Sequence, residues 1–293
     1  MEHTISNTDS CPSCGGTHLD VHSTVVDHFL TKELFVLKKC STCSFLFTTP
    51  RPSIDTIGDY YKSEDYVSHS STKKGLVNTV YGWVRNYTLK QKIKLISLLV
   101  PGRELLDIGA GTGHFASKAK QNSWNVTGLE PDPDARKVAK ELNNIELDEL
   151  NLLHSLEKQF DCVTMWHVLE HVYNLNEDLD KIARLIKSNG VFVIAVPNYT
   201  SFDAQYYKEE WAAYDVPRHL YHFSPKTIVS IIEKRGFDFE EILPMKFDSY
   251  YVSMLSEKYR KGSIFNAIRI GFLSNMKAGK DKCSSQIYIF RKK

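Results

Sequence analysis

Hydrophobic and polar positions change rhythm three times along the chain. In the first fifty residues, apolar and polar side chains alternate over 24–28 and 34–38, which predicts two half-buried strands. Thr49-Pro50-Arg51-Pro52 breaks that rhythm and reads as a boundary. Residues 54–99 are helical in pattern and rich in aromatics (Tyr60, Tyr61, Tyr66, Tyr81, Trp83, Tyr87), with a polar loop at 68–74. Beyond Pro101-Gly102, short apolar runs alternate with amphipathic ones. Strands are expected at 104–108, 124–129, 145–147, 161–165 and 191–196, with helices at 115–121, 134–142 and 176–187. Ser188-Asn189-Gly190 reads as the stop of the last helix. The tail adds a helix at 225–235 and strands at 239–243 and 286–290. Strand and helix in alternation predict an α/β fold, a parallel sheet with helices on both faces. The expected division is 1–50, 51–95 as a helical linker or lid, and 96–293.

One strand runs into glycines. Leu105-Leu106-Asp107-Ile108-Gly109-Ala110-Gly111-Thr112-Gly113 places a sharp turn before a helix, where a ligand can approach bare N–H groups. Glu130 closes the next strand, 21 residues after Gly109, where a carboxylate can accept both hydroxyls of a ribose. Glycine turns also serve structure alone, but strand, glycines, helix, strand and acid together point to a nucleotide-bearing ligand.

The spacing is GxGxG rather than the dinucleotide GxGxxG, with Asp107 two residues ahead. That pattern resembles motif I of the class I S-adenosylmethionine-dependent methyltransferases, over roughly residues 96–293. The resemblance implies a Rossmann-like domain with a seven-stranded, mostly parallel sheet. It implies that Asp107, Gly109, Gly111 and Gly113 cradle the methionine end of the cofactor and that Glu130-Pro131 meets the ribose. Asp148 would meet the adenine, with Glu146 or Glu149 as alternatives. The run from Asp161 to Val172, which contains Trp166-His167-Val168-Leu169-Glu170-His171, resembles the branch that modifies small molecules and sugars, and adds Trp166 and His167 to the cofactor site. The run from Asp215 to Ser224 resembles the same branch.

Cys11-Pro-Ser-Cys14 and Cys40-Ser-Thr-Cys43 supply two thiolate pairs at the spacing of two knuckles, enough to close a tetrahedron around a structural zinc. Four unligated thiols are the plainer alternative. The stretch from Cys11 to about His69 resembles the zinc-ribbon module that precedes sugar-type methyltransferase domains in bacterial polysaccharide and natural-product pathways. Cys162 and Cys283 read as packing residues.

His167, Glu170 and His171 share one face of a helix if the segment is helical. Three readings stand: His171 as a general base, a divalent-metal site, or hydrogen bonding beneath the cofactor. His219 is a second candidate base, with Tyr221 and His222 beside it and Asp215 able to orient one of them.

Charge and composition narrow the rest. With 42% hydrophobic and 25% charged residues, the chain can bury a core. Lys+Arg 37 against Asp+Glu 35 gives +2, too near neutral for a nonspecific nucleic-acid coat. Residues 1–50 hold three Lys and five Asp/Glu, or −2; residues 246–293 hold eleven Lys/Arg and three Asp/Glu, or +8. There is no apolar run long enough to span a bilayer and no secretory signal pattern, so a cytoplasmic location is expected. The expectation is methyl transfer from S-adenosylmethionine to a small molecule, a sugar or nucleotide-linked sugar, at oxygen or carbon. An RNA methyltransferase is the first rival, disfavoured by the acidic ribbon. A cofactor-binding module without turnover is the second.

Overall fold

The fold is that of a computed structural model, which describes residues 5–6, 8–61, 76–279 and 281–293. Tyr66 and the expected loop at 68–74 lie outside the described residues.

The N-terminal strands are β1 (Leu19–Val26), β2 (Leu34–Cys40) and β3 (Leu46–Thr49), an antiparallel meander. Two turns with the same hydrogen bonds stand before β1 and between β2 and β3. The Cys11 N–H donates to Gly16 O and the Gly15 N–H to Cys11 O; the Cys40 N–H donates to Phe45 O and the Ser44 N–H to Cys40 O. Both turns place a left-handed residue four positions after the first cysteine, Gly15 at φ 73° and Ser44 at φ 62°. The two CxxC loops therefore share one backbone shape.

Helix α1 (Leu76–Leu99) leads into the main sheet. Strands β4 (Glu104–Ile108), β5 (Asn125–Leu129), β6 (Phe160–Trp166) and β7 (Ile186–Pro197) pair in parallel, with β4 between β5 and β6. Helices α2 (His114–Gln121), α3 (Pro133–Asn143) and α4 (Leu175–Leu185) cross between them. Asp132 caps α3 by accepting from the Asp134 and Ala135 N–H groups, and Pro133 opens it where no donor is needed. After a short helix α5 (Phe202–Tyr207) come β8 (Tyr221–His222) and α6 (Pro225–Glu233), the latter opened by a Ser224/Thr227 capping box. Strand β9 (Phe237–Pro244), helices α7 (Asp248–Arg260) and α8 (Ile264–Lys277), and β10 (Ser285–Lys292) complete the chain. Strand β10 is antiparallel to both β7 and β9.

Among the described residues the sheet has six strands, in the order β9-β10-β7-β6-β4-β5, rather than the expected seven. The third strand expected at 145–147 contributes only a bridge between Leu129 and Asp148. Ser188-Asn189-Gly190 does not stop a helix: α4 ends at Leu185, and these residues form an irregular loop within β7, with Asn189 at φ 62°.

The N-terminal meander is stitched to the large sheet's domain. Strand β8 pairs with β3, Tyr221 opposite Phe47 and His222 opposite Leu46. Phe45 and Phe47 join Leu106, Ile194 and Phe223 in one buried cluster. Arg218, 3% exposed, bridges the two parts. Its guanidinium donates to both Asp215 oxygens at 2.7 and 3.1 Å, to Asp27 Oδ1 at 3.1 Å and to Tyr60 O at 3.0 Å. Breaking such a buried pair from one side costs about 3–5 kcal/mol, because a buried charge is left uncompensated.

Candidate functional site

The carboxyl end of β4 lies where strand order reverses, the position at which open α/β sheets bind ligands. The chain leaves it through Gly109, Gly111 and Gly113 at φ 68°, 55° and 77°. Their reasons differ. A Cβ on Gly109 would stand 2.4 Å from Val168 Cγ2, and one on Gly113 would stand 2.5 Å from Ile145 Cγ2, so both glycines answer to packing. A Cβ on Gly111 would meet nothing within 4 Å, which leaves a concave backbone open to a ligand.

Glu130 sits opposite. Its Oε2 accepts the Gly111 N–H at 2.7 Å and its Oε1 accepts the Asp132 N–H at 3.0 Å. Burial raises its pKa above the usual carboxylate value, and those two N–H groups pull it back in part. Pro131 beside it is exposed. Of the three acids that follow, Asp148 has its backbone laced to β5, its N–H on Gly128 O and its C=O on the Glu130 N–H. Glu146 pairs with Lys140 and Glu149 with Arg136, both at the surface.

Below the loop, burial pushes Asp107 up to about 7, although the Thr164 hydroxyl donates to it at 2.7 Å and Lys92 lies nearby. Lys92 comes from α1. Its ammonium stands 4.0 Å from the centre of the Trp166 ring, and burial lowers it to about 8 against the pull of Asp248 and Asp107. The Trp166 Nε1 is buried with no hydrogen-bond partner among the described residues.

His167 follows at φ 58°, its N–H held by Ala195 O. Its ring is clamped between Asp248, with Nε2 to Oδ2 at 3.1 Å, and Glu170, with Nδ1 to Oε1 at 3.4 Å. Burial opposes its charge, yet the two carboxylates raise it to about 9. Neither Lys92 nor Asp248 was anticipated. Lys92 left a faint trace, a lysine three residues after Leu89 and four before Ile96 on the apolar stripe of α1. Asp248 left none.

The structure joins the two candidate bases. His171 and His219 meet edge to face, ring centroids 4.6 Å apart. The His171 Nδ1–H donates to Arg218 O at 2.9 Å and reaches the Tyr61 hydroxyl oxygen at 3.0 Å; the His219 Nδ1–H donates to Ala213 O at 2.8 Å. A carbonyl only accepts, so both rings carry a proton on Nδ1, and in a neutral ring the lone pair is on Nε2. Burial, then the neighbouring His219, hold His171 down to about 4. Glu170, wholly buried, faces the His167 ring at 3.4 Å and has no well-aligned hydrogen bond among the described residues. It places a ligand atom within 4.8 Å of one on each histidine, but its charge already faces the His167 cation, which argues against a divalent metal there.

The other expected partners lie elsewhere. Asp215 is engaged by Arg218, and His219 Nε2 is 4.0 Å from it. Tyr221 donates its hydroxyl to Tyr173 O, and the His222 Nε2–H donates to the Thr48 hydroxyl, so both serve the seam with the meander.

At the far end of that meander the four thiols converge. Cys11 and Cys43 sulfurs are 3.6 Å apart, Cys14 and Cys40 sulfurs 3.7 Å, and all four lie within 4.8 Å of one another. Tetrahedral zinc with Zn–S near 2.3 Å needs sulfur–sulfur edges of about 3.8 Å, which these pairs match. Backbone N–H groups of Ser13 and Cys14 aim at the Cys11 sulfur, and those of Thr42 and Cys43 at the Cys40 sulfur. A Cβ on Gly16 would come 3.0 Å from Thr42 Oγ1, 3.3 Å from the Cys40 sulfur and 3.4 Å from that of Cys14, so a side chain there would press on the cluster.

The sequence profile described as "Methyltransferase domain" matches residues 83–242, more than half of the chain. The chain belongs to this methyltransferase family. It is an S-adenosylmethionine-dependent methyltransferase with a Rossmann-like fold. Among curated proteins, the methyltransferase is 28% identical over 192 residues to a ubiquinone biosynthesis O-methyltransferase of Rickettsia bellii, covering 60% of this chain and 80% of that one. Among solved structures, its fold matches a magnesium protoporphyrin IX methyltransferase from Synechocystis with a TM-score of 0.54 and 14% identity, covering 82% of this chain and 100% of the other. A putative sarcosine dimethylglycine methyltransferase from Galdieria sulphuraria gives 0.51 and 17%, covering 81% and 98%. At these identities the structures speak to the fold alone.

Proposed function

We propose that this methyltransferase binds its cofactor across the glycine loop and methylates a sugar or nucleotide-linked sugar, with His171 or His219 taking the acceptor's proton. The observation that carries the proposal is the pair of Nδ1-tethered imidazoles, beside a buried carboxylate and next to the segment that packs on Gly109.

Bound here, S-adenosylmethionine supplies a methyl already activated on a sulfonium. The residues around it fit. Glu130 would accept the ribose hydroxyls with Pro131 next to it, Gly111 would lend its open backbone, and Asp148 would meet the adenine. Asp107, Gly109, Gly113, Trp166 and His167 form the floor and wall of the methionine end. The chain's work is then to align the acceptor and hold its proton. Either histidine accepts that proton at Nε2, and Glu170 stabilises the imidazolium that results. Cys11, Cys14, Cys40 and Cys43 hold a structural zinc, which stiffens the ribbon of residues 1–50 without entering the chemistry. Residues 51–95 form the linker to the catalytic domain at 96–293.

Relatives named as ubiquinone biosynthesis O-methyltransferases support a small-molecule acceptor. The resemblance of the ribbon and of residues 215–224 to the sugar branch supports a sugar. Mass-spectrometric detection of a methylated product from a panel of nucleotide sugars, alongside quinone-precursor phenols, tests it. Methylation of the phenols alone would sink the sugar assignment.

A further inference from the structure

The α7–α8 hairpin carries large apolar side chains that stand exposed. Helix α8 buries Ala267, Ile270, Gly271 and Ser274. This stripe lets it lie close on α7: a Cβ on Gly271 would meet Tyr250 Cδ1 at 2.7 Å. The opposite face is no more polar. Phe265 (80% exposed), Ile268, Phe272 and Met276 (68% exposed) recur at helical spacing along it. On α7, Met254 is exposed as well. Scattered apolar residues on a surface need no explanation, but a row of large ones along a helix does.

The charged side chains along α8 and its flanks are mostly cations. Arg269 and Lys277 lie on α8, which has no carboxylate. Exposed Lys258 and Lys261 precede it and exposed Lys282 follows, and Asp281 is the one acid in the sequence from 258 to 282. A second copy of the chain would set these cations against each other across a two-fold axis. An anionic lipid surface instead receives the rings among its acyl chains and the cations among its headgroups.

We propose that the α7–α8 hairpin is a peripheral docking surface for anionic lipid bilayers. The face begins beside the site: Phe247 is exposed and packs edge-on to Tyr87 of α1, and the next residue, Asp248, clamps His167. A docked molecule therefore holds the cofactor and histidine clusters next to the membrane surface.

Co-sedimentation of the full chain with vesicles tests this. Vesicles containing phosphatidylglycerol should capture the protein at low salt, pure phosphatidylcholine vesicles should bind roughly tenfold less or weaker, and added salt should weaken capture. The double variant Phe265→Ser/Phe272→Ser should lose roughly tenfold or more, and Arg269→Glu several-fold, with S-adenosylmethionine affinity unchanged in both. Failure to sediment with anionic vesicles would overturn the proposal, as would wild-type binding by the variants. So would light scattering that shows a dimer which Phe272→Ser converts to monomer, since the face would then belong to a second copy.

Discussion

The Thr48 hydroxyl donates to the main-chain carbonyl of His219 at 2.7 Å and accepts from the His222 Nε2–H at 2.9 Å. Thr48 belongs to β3 of the cysteine-bearing meander, so the part of the chain that gathers four thiols also fixes the backbone of a candidate base. Thr48→Val keeps the shape and leaves two buried polar groups unpaired. It should cost about 1–3 kcal/mol in denaturant unfolding. Turnover should fall more than S-adenosylmethionine affinity. Equal losses in both would mean that the seam serves stability alone.

The same seam makes the metal matter at a distance. Freshly prepared protein should contain about one zinc per chain, and Cys11→Ser or Cys40→Ser should lower it together with the melting temperature. Cofactor affinity should move less, because Glu130 and the glycine loop lie on the far sheet. Metal analysis that finds no zinc in protein purified without chelators would contradict the ribbon.

For the histidines the expected effects are larger. Losing a general base costs roughly 100- to 10,000-fold in turnover. His171→Asn or His219→Asn should do so while cofactor affinity stays near wild type. His171 is held down to about 4, so it stays neutral and able to accept a proton until the pH falls through about 4. If His171 is the base, an acid limb in kcat lies there rather than near 6.5. Activity that EDTA abolishes and magnesium restores would replace the base with a metal. Normal turnover in both variants would exclude both rings.

His167 should show itself through stability. Its folded-state pKa of about 9 stands above the unfolded value near 6.5, with Asp248 and Glu170 ionised on either side. Its contribution is therefore complete below about pH 6.5 and is lost as the pH rises through about 9. The gap in unfolding midpoint between wild type and His167→Asn should be wide at pH 6 and narrow by pH 9.5. A gap that does not change with pH would mean that the ring is neutral.

The parts of this picture that sequence could reveal are those written in short spans. Strand β4, the glycine turn, β5 and Glu130 lie within 27 residues, and each leaves a local signature in apolar runs, glycine spacing or a terminal acid. The CxxC pairs are similarly compact. Missed features depend on distance or on ambiguous periodicity. Arg218 meets Asp27 across 191 positions, and no pattern along the chain records it. Helix α8 is apolar on both faces, which blurs the helical rhythm that a one-sided helix would show. Ser188-Asn189-Gly190 has the chemistry of a helix stop but makes an irregular loop in a strand, because β7 has already begun to pair with β6 at Ile186.

The central claim is that the glycine loop and Glu130 hold the methyl donor. Calorimetric titration of S-adenosylmethionine into the full chain tests it most directly. One site is expected, with binding weakened ~10-fold or more by Glu130→Ala, which removes a charged acceptor, and by Gly111→Arg, which fills the open backbone. Unchanged affinity in both variants would contradict the assignment.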